Sequence, residues 1–255
     1  RLRWALRRIS DEKPSDFILV PSDYLRPIYS SAFNTQNTII CGYPRNDVLI
    51  SECITNVLTD DEKKTLNLLE NIKKDKKIIL YMPTFRDSEI DFFNIISIKK
   101  LQEFLRDNKI ALLVKLHPKS KVYNRFLEVE SEHIKVINPD LDPYPILKQV
   151  DLLITDYSSI YFDFLHTDKP IIFFSYDLEK YLLESREMYF DYDHMTPGIK
   201  VKDQEGLHTA ITEALTKDNL YQKEKENIKK LMFNYDTNIS CEILYRKIKQ
   251  ICGLV

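Results

Sequence analysis

Short runs of apolar and β-branched residues alternate with helical patterns along almost the whole chain. The apolar runs predict strands at 17–20, 38–41, 77–81, 110–116, 135–137, 151–155 and 170–174. The helical patterns predict helices at 59–71, 97–107, 144–148, 203–216, 220–233 and 239–251, and one more after residue 157. Ser22, Thr59 and Ser97 are residue types that cap helix N-termini, and the helix after Ser22 is expected to reach residue 33. Strands that alternate with helices are typical of a parallel sheet flanked by helices.

The predicted elements fall into two series, separated by a loop and turn at 42–50. Residues 1–50 contain only the end of one α/β unit, whereas 51–255 contain a nearly complete doubly wound domain followed by helices. In an open parallel sheet, ligands bind outside the carboxyl ends of the strands. The polar segments that follow predicted strands therefore form the candidate site.

The bulk composition is that of an ordinary globular protein. Of the 255 residues, 44% are hydrophobic and 30% are charged, and the formal net charge is −2. Because a nucleic-acid-binding domain normally carries a basic surface, no nucleic-acid partner is expected. The four cysteines show no CxxC spacing and no secretory signal is recognisable, which indicates free thiols in a reducing cytoplasm. No apolar run is long enough to cross a bilayer.

The chain opens on a basic segment, RLRWALRR at 1–8, in which four arginines surround Trp4. Such a segment can contact an anionic membrane surface. A solvated basic helix face accounts for it equally well. Since the chain begins with Arg1 rather than Met, we expect it to be a piece of a longer protein.

Several common motifs are absent from the sequence. With four glycines, the chain has neither GxGxxG nor GxxxxGK[ST], which argues against a dinucleotide-binding domain and a P-loop. HExxH is absent too. A DxD at 140–142 is the pattern with which some glycosyltransferases bind a divalent cation, but it lies in a proline-flanked loop before a helix, where capping and turn formation account for it. No metal and no cofactor are predicted.

The stretch TDYSSIYFD at 155–163 places two serines at the point where a strand passes into a helix. The hydroxyls of Ser158 and Ser159, the unpaired N–H groups of the first turn and the helix dipole together suit a phosphate. Asp163 lies four residues beyond Ser159, on the same helix face, and can accept hydrogen bonds from sugar or glycerol hydroxyls. Alternatively, one serine caps the helix and Asp163 interacts with its dipole.

The segment VKLHPK at 114–119 ends another predicted strand with a cation and an imidazole. Lys115 and His117 can neutralise a diphosphate, and His117 can protonate a leaving phosphate. A lone histidine is more often a structural residue. The neighbouring lysines and the fixed exit at Pro118 favour the functional interpretation.

Two further segments have the same character. In LYMPTFRD at 80–87, the groups of Pro83 and Thr84 can line a nucleotide pocket, although Arg86-Asp87 can equally be a surface ion pair. In GYPRND at 42–47, Arg45 can clamp a phosphate between two lobes, with a plain turn as the alternative. Polar exits of this kind point to an anionic substrate such as a nucleoside diphosphate conjugate.

Taken together, these motifs resemble the CDP-glycerol glycerophosphotransferase family, the teichoic-acid primases and polymerases with relatives in capsule synthesis. The similarity runs from about 16 to 201 and includes GYPRND, LYMPTFRD, KLHP, DLLITDYSSIYFDFL at 151–165, KPIIFFSYDLEKY at 169–181, Arg186 and YFDY at 189–192. It implies a GT-B-like α/β fold, in which residues 1–50 end the acceptor lobe and 51–255 form the Rossmann-like donor domain. In that family, the corresponding residues contact CDP-glycerol. They are Arg45, Pro83, Thr84, Lys115, Leu116, His117, Ser158, Ser159 and Asp163.

The resemblance implies transfer of glycerol phosphate from CDP-glycerol to a lipid-linked acceptor with release of CMP, with His117 as the catalytic residue and the protein peripheral at the cytoplasmic face of the cell membrane. A nucleotide-sugar glycosyltransferase or epimerase remains an alternative. Family members also carry a WHGTPLK-type segment, whose histidine is thought to act near the acceptor, and 1–255 contain none. A non-catalytic donor-binding remnant or a membrane-surface module therefore stays open as well.

Overall fold

The computed structural model describes residues 16–51, 58–85, 92–184, 188–237 and 239–254. Contacts divide the chain into two units, one from Arg1–Asp47 and Lys230–Val255 and one from Val48–Lys229. The sequence predicted that 51–255 form one domain, whereas the contacts assign Lys230–Val255 to the first unit. The basic segment at 1–8 lies outside the described residues, as do Arg86, Asp87 and Arg186.

The strands and helices lie close to the predicted positions. The strands are β1 (Ile18–Val20), β2 (Thr38–Ile40), β3 (Lys77–Tyr81), β4 (Ile110–Lys115), β5 (Ile134–Ile137), β6 (Leu152–Thr155), β7 (Ile171–Phe174) and β8 (Ile199–Val201). The helices are α1 (Arg26–Ala32), α2 (Asp47–Ile50), α3 (Asp60–Lys73), α4 (Phe92–Ile95), α5 (Ile98–Asp107), α6 (Tyr123–Glu128), α7 (Tyr144–Gln149), α8 (Ile160–Phe164), α9 (Leu178–Glu184), α10 (Tyr192–Met195), α11 (Gln204–Thr216), α12 (Gln222–Met232) and α13 (Ser240–Ile251). Short 3₁₀ turns occupy Pro44–Asn46 and Leu165–Thr167.

The second unit contains a six-stranded parallel sheet in the order β5-β4-β3-β6-β7-β8. Numbered within the sheet, this is the 3-2-1-4-5-6 order of a Rossmann fold, with its switch point between β3 and β6. The central strands are continuous apolar runs and are almost fully buried, as parallel strands covered on both faces must be. The predicted parallel α/β fold is confirmed.

The first unit pairs β1 with β2 in parallel and includes α13. Asp47, the last residue of GYPRND, accepts hydrogen bonds from the backbone N–H groups of Ser240 and Cys241, at 3.1 and 2.8 Å. These bonds satisfy donors at the start of α13, the role of an N-cap side chain. Gly42 packs closely against Ser240 at the start of α13. A Cβ at position 42 would lie 2.7 Å from the Ser240 Oγ, which is too close for an ordinary contact. Two positions of GYPRND thus serve the fold of this unit.

Most differences from the predicted elements concern helix starts and short helices. Thr59 and Glu62 form the two reciprocal bonds of a capping box, which confirms the predicted start of α3. Ser22 was wrongly predicted to cap a helix directly. Its Oγ accepts from Leu25 N in a turn, and α1 begins at Arg26 with Pro27 in its first turn. The segment 42–50, predicted as a loop, contains the first 3₁₀ turn and α2.

Candidate functional site

A cavity of about 1060 Å³ lies at the carboxyl ends of the strands in the second unit. Segments that follow β3, β4, β5 and β6 line it, which places it at the switch point of the sheet. Its floor and walls include Met82, Pro83, Thr84, Phe85, Lys115, Leu116, His117, Pro118, Pro139, Leu141, Pro143, Tyr157, Ser158 and Ser159. Aromatic residues from the segment 161–192 form much of the remainder. A cavity of this size suits a nucleotide-sized ligand.

Side-chain hydrogen bonds join the exits of β3 and β6 beside this cavity. The Thr155 hydroxyl donates to the carbonyl oxygen of Met82 at 2.8 Å. Asp156 is fully buried, and its Oδ1 accepts from the backbone N–H of Thr84 at 2.8 Å and from that of Tyr157 at 2.5 Å. The Thr-Asp pair of the TDYSS motif therefore fixes the loop that carries Pro83 and Thr84. The sequence prediction assigned Asp156 no such role.

The tandem serines face the cavity at the start of α8. Ser159 is the N-cap residue of that helix, but its side chain makes no capping hydrogen bond. Ser158 Oγ accepts from Ile160 N at 3.5 Å, a long and weak contact. Plain capping is therefore a poor account of the pair. Since α8 has five residues, the helix dipole contributes less here than the sequence suggested.

Lys115 reaches the cavity from the end of β4. The residue is 5% exposed, and its Nζ donates to the carbonyl oxygen of Pro139 at 2.6 Å. Burial lowers the pKa of this ammonium below its ordinary value, and the carboxylates of Asp140 and Asp142 oppose the shift. A desolvated cation at the cavity wall gains from an anionic ligand that restores its lost solvation.

His117 is exposed in the loop after β4 and lies beside Phe85, with ring centroids 5.3 Å apart. Its Nδ1 accepts a hydrogen bond from the backbone N–H of Lys119 at 3.1 Å. Because Nδ1 is the acceptor, a neutral imidazole carries its proton on Nε2. The geometry therefore presents Nε2–H as a hydrogen-bond donor.

Aromatic residues that were not among the predicted site residues line another side of the cavity. Tyr157 stacks on Tyr181 with ring centroids 4.1 Å apart and an interplanar angle of 19°. The Tyr157 hydroxyl donates to Asp177 Oδ1 at 2.9 Å. The ring centroids of Tyr157 and Tyr192 lie 5.7 Å apart. Tyr189 also lines the cavity and is 76% exposed. The signal for this wall was the density of aromatic residues in 176–192.

The structure brings together most of the residues assigned to donor binding. The residues that line the one cavity are Pro83, Thr84, Lys115, Leu116, His117, Ser158 and Ser159. Asp163 does not line it; the residue is 3% exposed and its carboxylate faces Tyr144. Arg45 belongs to the first unit, where its guanidinium lies 4.0 Å from the centroid of the Tyr43 ring. Its contact with a phosphate stays a prediction.

The DxD at 140–142 forms a turn before α7. Asp142 Oδ1 accepts from the backbone N–H of Tyr144 at 3.0 Å, and the Asp140 N–H donates to Asn138 Oδ1, also at 3.0 Å. These bonds agree with the capping interpretation of the pair. Within the residues that the structure describes, no cluster of three His, Cys, Asp or Glu side chains is arranged to hold a metal ion.

A Rossmann-like domain with a ligand-sized cavity at its switch point is typical of nucleotide-binding proteins. The model of the family described as CDP-Glycerol:Poly(glycerophosphate) glycerophosphotransferase matches residues 5–250, and the chain belongs to this family. It is 31% identical over 220 residues to the teichoic acid poly(glycerol phosphate) polymerase of Bacillus subtilis (strain 168), covering 80% of this chain and 27% of that protein. It is 34% identical over 204 residues to the teichoic acid glycerol-phosphate transferase of Staphylococcus aureus (strain NCTC 8325 / PS 47), covering 77% and 50%.

A third relative is the teichoic acid glycerol-phosphate primase of Bacillus spizizenii (strain ATCC 23059 / NRRL B-14472 / W23), 32% identical over 233 residues that cover 86% of this chain and 57% of that protein. The chain therefore spans between 27% and 57% of the length of these relatives.

Solved structures give the same picture. A variant of the wall teichoic acid polymerase TagF with CDPG matches with a TM-score of 0.71 and 28% identity, over 92% of this chain and 59% of that one. The GT-B-like fold class predicted from the sequence is confirmed by this likeness. The Staphylococcus aureus MnaA-UDP co-structure matches with a TM-score of 0.52 at 16% identity, which shows a shared fold alone.

Proposed function

We propose that this chain supplies the donor-binding domain of an enzyme that transfers glycerol phosphate from CDP-glycerol to a hydroxyl on a lipid-linked acceptor and releases CMP, in teichoic acid or capsule synthesis. One observation carries the proposal: a lysine, an imidazole and two adjacent serine hydroxyls line a single cavity at the switch point of a Rossmann-like sheet. Membership of the family supports the same donor.

Several groups that line the cavity have a physical role toward a nucleoside diphosphate. Lys115 supplies a desolvated positive charge, and the hydroxyls of Ser158 and Ser159 donate hydrogen bonds to phosphate oxygens. The loop of Pro83 and Thr84, fixed by Asp156, lines the nucleotide side. These groups are held in place before the ligand arrives, which lowers the ordering cost of binding.

In the reaction, the acceptor oxygen attacks the glycerol-bearing phosphorus. One P–O bond forms to the acceptor, the P–O bond to CMP breaks, the electron pair leaves with the CMP phosphate, and the hydroxyl proton of the acceptor passes to water. His117 donates a hydrogen bond from its Nε2–H to that leaving phosphate as negative charge builds on it, while Lys115 offsets the same charge. Displacement at phosphorus depends on positioning and electrostatics more than on covalent chemistry, which agrees with a cavity of preorganised donors.

The acceptor, the whole activity and the membrane partner are proposals, since this chain spans only part of its relatives. We propose that Arg45 contacts the donor diphosphate, as the family resemblance implies. We also propose that the protein is peripheral at the cytoplasmic face of the cell membrane, because a lipid-linked acceptor is reached at a membrane surface. None of the helices among the described residues is both long and apolar enough to span a bilayer.

The assay is release of CMP from CDP-glycerol by the full-length protein that contains this chain. Replacing His117 by Ala should lower kcat/KM at least about a hundredfold, the usual contribution of a preorganised hydrogen-bond donor to developing negative charge. His133→Gln is the matched control, because His133 precedes β5 at the opposite end of the sheet. Near-normal turnover by H117A would exclude the proposed role of His117.

Two outcomes would favour the alternatives. Stronger competition for the cavity by UDP-sugars than by CDP-glycerol would favour a nucleotide-sugar glycosyltransferase or epimerase. Donor binding without CMP release by the full-length protein would favour a non-catalytic donor-binding protein.

A further inference from the structure

The carboxylate of Asp163 faces the protein interior rather than the cavity. Its Oδ2 accepts a hydrogen bond from the Tyr144 hydroxyl, with 2.6 Å between the two oxygens. Both residues are buried, Asp163 at 3% and Tyr144 at 9% exposure. A short hydroxyl–carboxylate bond that is shielded from water is among the stronger hydrogen bonds in proteins. The family resemblance made Asp163 a contact of CDP-glycerol, and this geometry gives it a different task.

The two residues of this bond lie next to two different walls of the cavity in the chain. Asp163 lies in α8, four residues after Ser159, and Ser158 and Ser159 line the cavity. Tyr144 is the first residue of α7, and the loop before it contributes three lining residues, Pro139, Leu141 and Pro143. The bond therefore ties the serine wall to the wall after β5.

The loop on the Tyr144 side is itself fixed, which makes it a suitable anchor. Asp142 accepts from the Tyr144 backbone N–H, and Lys115 donates to the Pro139 carbonyl oxygen. The serine side lacks comparable local support, because α8 is five residues long and begins without a side-chain cap. Short helices of this kind depend on tertiary contacts for their position.

We propose that Asp163 is a positioning residue that, through Tyr144, holds Ser158 and Ser159 at the place of the donor diphosphate. This inference rests on the proposed function, since it assigns a task within the same donor site. Asp163 then contributes to affinity for any diphosphate, whether or not glycerol is attached. A residue that bound glycerol directly would affect only the glycerol conjugate. If Asp163 bound the ribose directly, loss of the Tyr144 hydroxyl would leave both affinities unchanged.

The test is isothermal titration of the full-length protein with CDP and, separately, with CDP-glycerol. Tyr144→Phe removes one hydroxyl and should weaken both ligands by the same factor of about ten, the loss expected for one hydrogen bond to a charged group. Asp163→Ala should do the same, and the double variant should bind no more weakly than D163A, because D163A already removes the hydrogen bond that Y144F removes. Asp163→Asn keeps an acceptor oxygen for the tyrosine and should retain most of the affinity.

The stoichiometry of binding separates positioning from simple loss of folded protein. Misfolding lowers the number of binding sites and leaves the affinity of the folded fraction unchanged, whereas displaced serines lower the affinity at full stoichiometry. Matched controls are Tyr221→Phe and Asp218→Asn, two exposed positions on the same unit. They should leave both dissociation constants unchanged. If D163A does not fold, Y144F carries the test.

Two results would overturn the inference. In the first, D163A lowers the affinity for CDP-glycerol but not for CDP, and in the second, Y144F leaves both affinities unchanged. If the unaltered protein binds neither ligand, the proposed function is wrong, and hydrogen exchange of the ligand-free protein decides the inference alone. Y144F should then speed amide exchange in both 139–144 and 157–164. Unchanged exchange in these segments would show that the bond does not position them.

Discussion

Lys115, Lys169 and Lys225 of the second unit are buried or half-buried, and each donates a hydrogen bond from Nζ to a backbone carbonyl oxygen. Lys115 donates to Pro139, Lys169 to Lys148 and Lys225 to Asp168, at 2.6, 2.6 and 2.7 Å. Burial lowers the pKa of all three ammonium groups, because a neutral carbonyl only partly replaces the solvation that a cation has in water. Of these lysines, Lys115 lines the cavity.

Lys169 gives a testable pH dependence of stability. Burial, followed by repulsion from Lys73, lowers its pKa from 10.5 to about 8. Between these two pH values the unfolded chain binds more protons than the folded chain, so the free energy of unfolding rises with pH across this window and the penalty is fully present below it. Lys169→Met should remove this rise, which urea titrations at pH 7 and pH 10 would measure as a difference from the unaltered protein.

The exposed Lys223 provides the control for that experiment. Lys223→Met should follow the unaltered protein at both pH values. If the free energy of unfolding of K169M rises between pH 7 and pH 10 as much as that of the unaltered protein, a lowered pKa for Lys169 would be contradicted.

At the scale of elements, two aspartates flank β6 and both tie it to β3, the neighbour across the switch point. Asp151 precedes the strand, and its Oδ2 accepts from the Ile78 N–H at 2.8 Å. Asp156 follows the strand, and its Oδ1 accepts from the Thr84 N–H, also at 2.8 Å. The strand pair is thus fixed at both ends, but only the Asp156 end borders the cavity.

This pair of bonds allows a matched comparison. Asp156→Ala and Asp151→Ala should each lower the free energy of unfolding by about 1–3 kcal/mol, the cost of leaving a donor unpaired. Only D156A should also weaken binding of CDP-glycerol, since it releases the loop of Pro83 and Thr84. Chemical denaturation and isothermal titration would measure the two effects. Equal binding by both variants would show that the Thr84 loop needs no such support.

The sequence predicted the central strands well and several short elements poorly. β3, β4, β6 and β7 are unbroken apolar runs bounded by polar residues, a pattern that a buried parallel strand imposes on its own sequence. β8 has three residues with an exposed Lys200 in the middle, and α4 and α10 have four residues each. Elements this short carry too little periodicity to be recognised locally.

The polar segments that follow the strands correctly predicted the position of the cavity, but they did not predict which of their side chains point into it. The spacing argument for Asp163 assumed a helix that includes the serines, yet α8 begins at Ile160. Its partner Tyr144 lies nineteen residues earlier in the chain, a separation that no local pattern reveals. Asp156 was missed for the same reason, because Thr84 lies 72 residues away.

At the scale of the whole molecule, the chain forms two units and covers only part of its relatives. The last helix joins the first unit through Asp47, so residues from both ends of the chain build that unit. Contact with an acceptor or a membrane therefore stays a proposal. The basic segment at 1–8 is the sequence feature that motivates the membrane proposal.

That proposal predicts binding to anionic vesicles by the full-length protein. Replacing Arg1, Arg3, Arg7 and Arg8 by Gln should reduce co-sedimentation with phosphatidylglycerol vesicles, since each basic residue near an anionic surface contributes about 1 kcal/mol. Neutral phosphatidylcholine vesicles should show little binding in either case. The control removes the same charge from exposed helical positions, Lys63, Lys64, Lys99 and Lys100. Equal losses in both variants would contradict a specific role for the segment at 1–8.

The sequence by itself determined the parallel α/β architecture, the positions of the central strands and the polar segments at their ends. Local hydrophobic patterning and chain order suffice for these, because a buried strand and the polar segment after it are runs of consecutive residues. The tertiary structure alone decided which polar side chains face the cavity and which hold its walls. Lys115 and Ser158 line it, whereas Asp156 and Asp163 turn away to bond Thr84 and Tyr144. A buried carboxylate takes the donors that packing brings to it, and those donors come from distant parts of the chain.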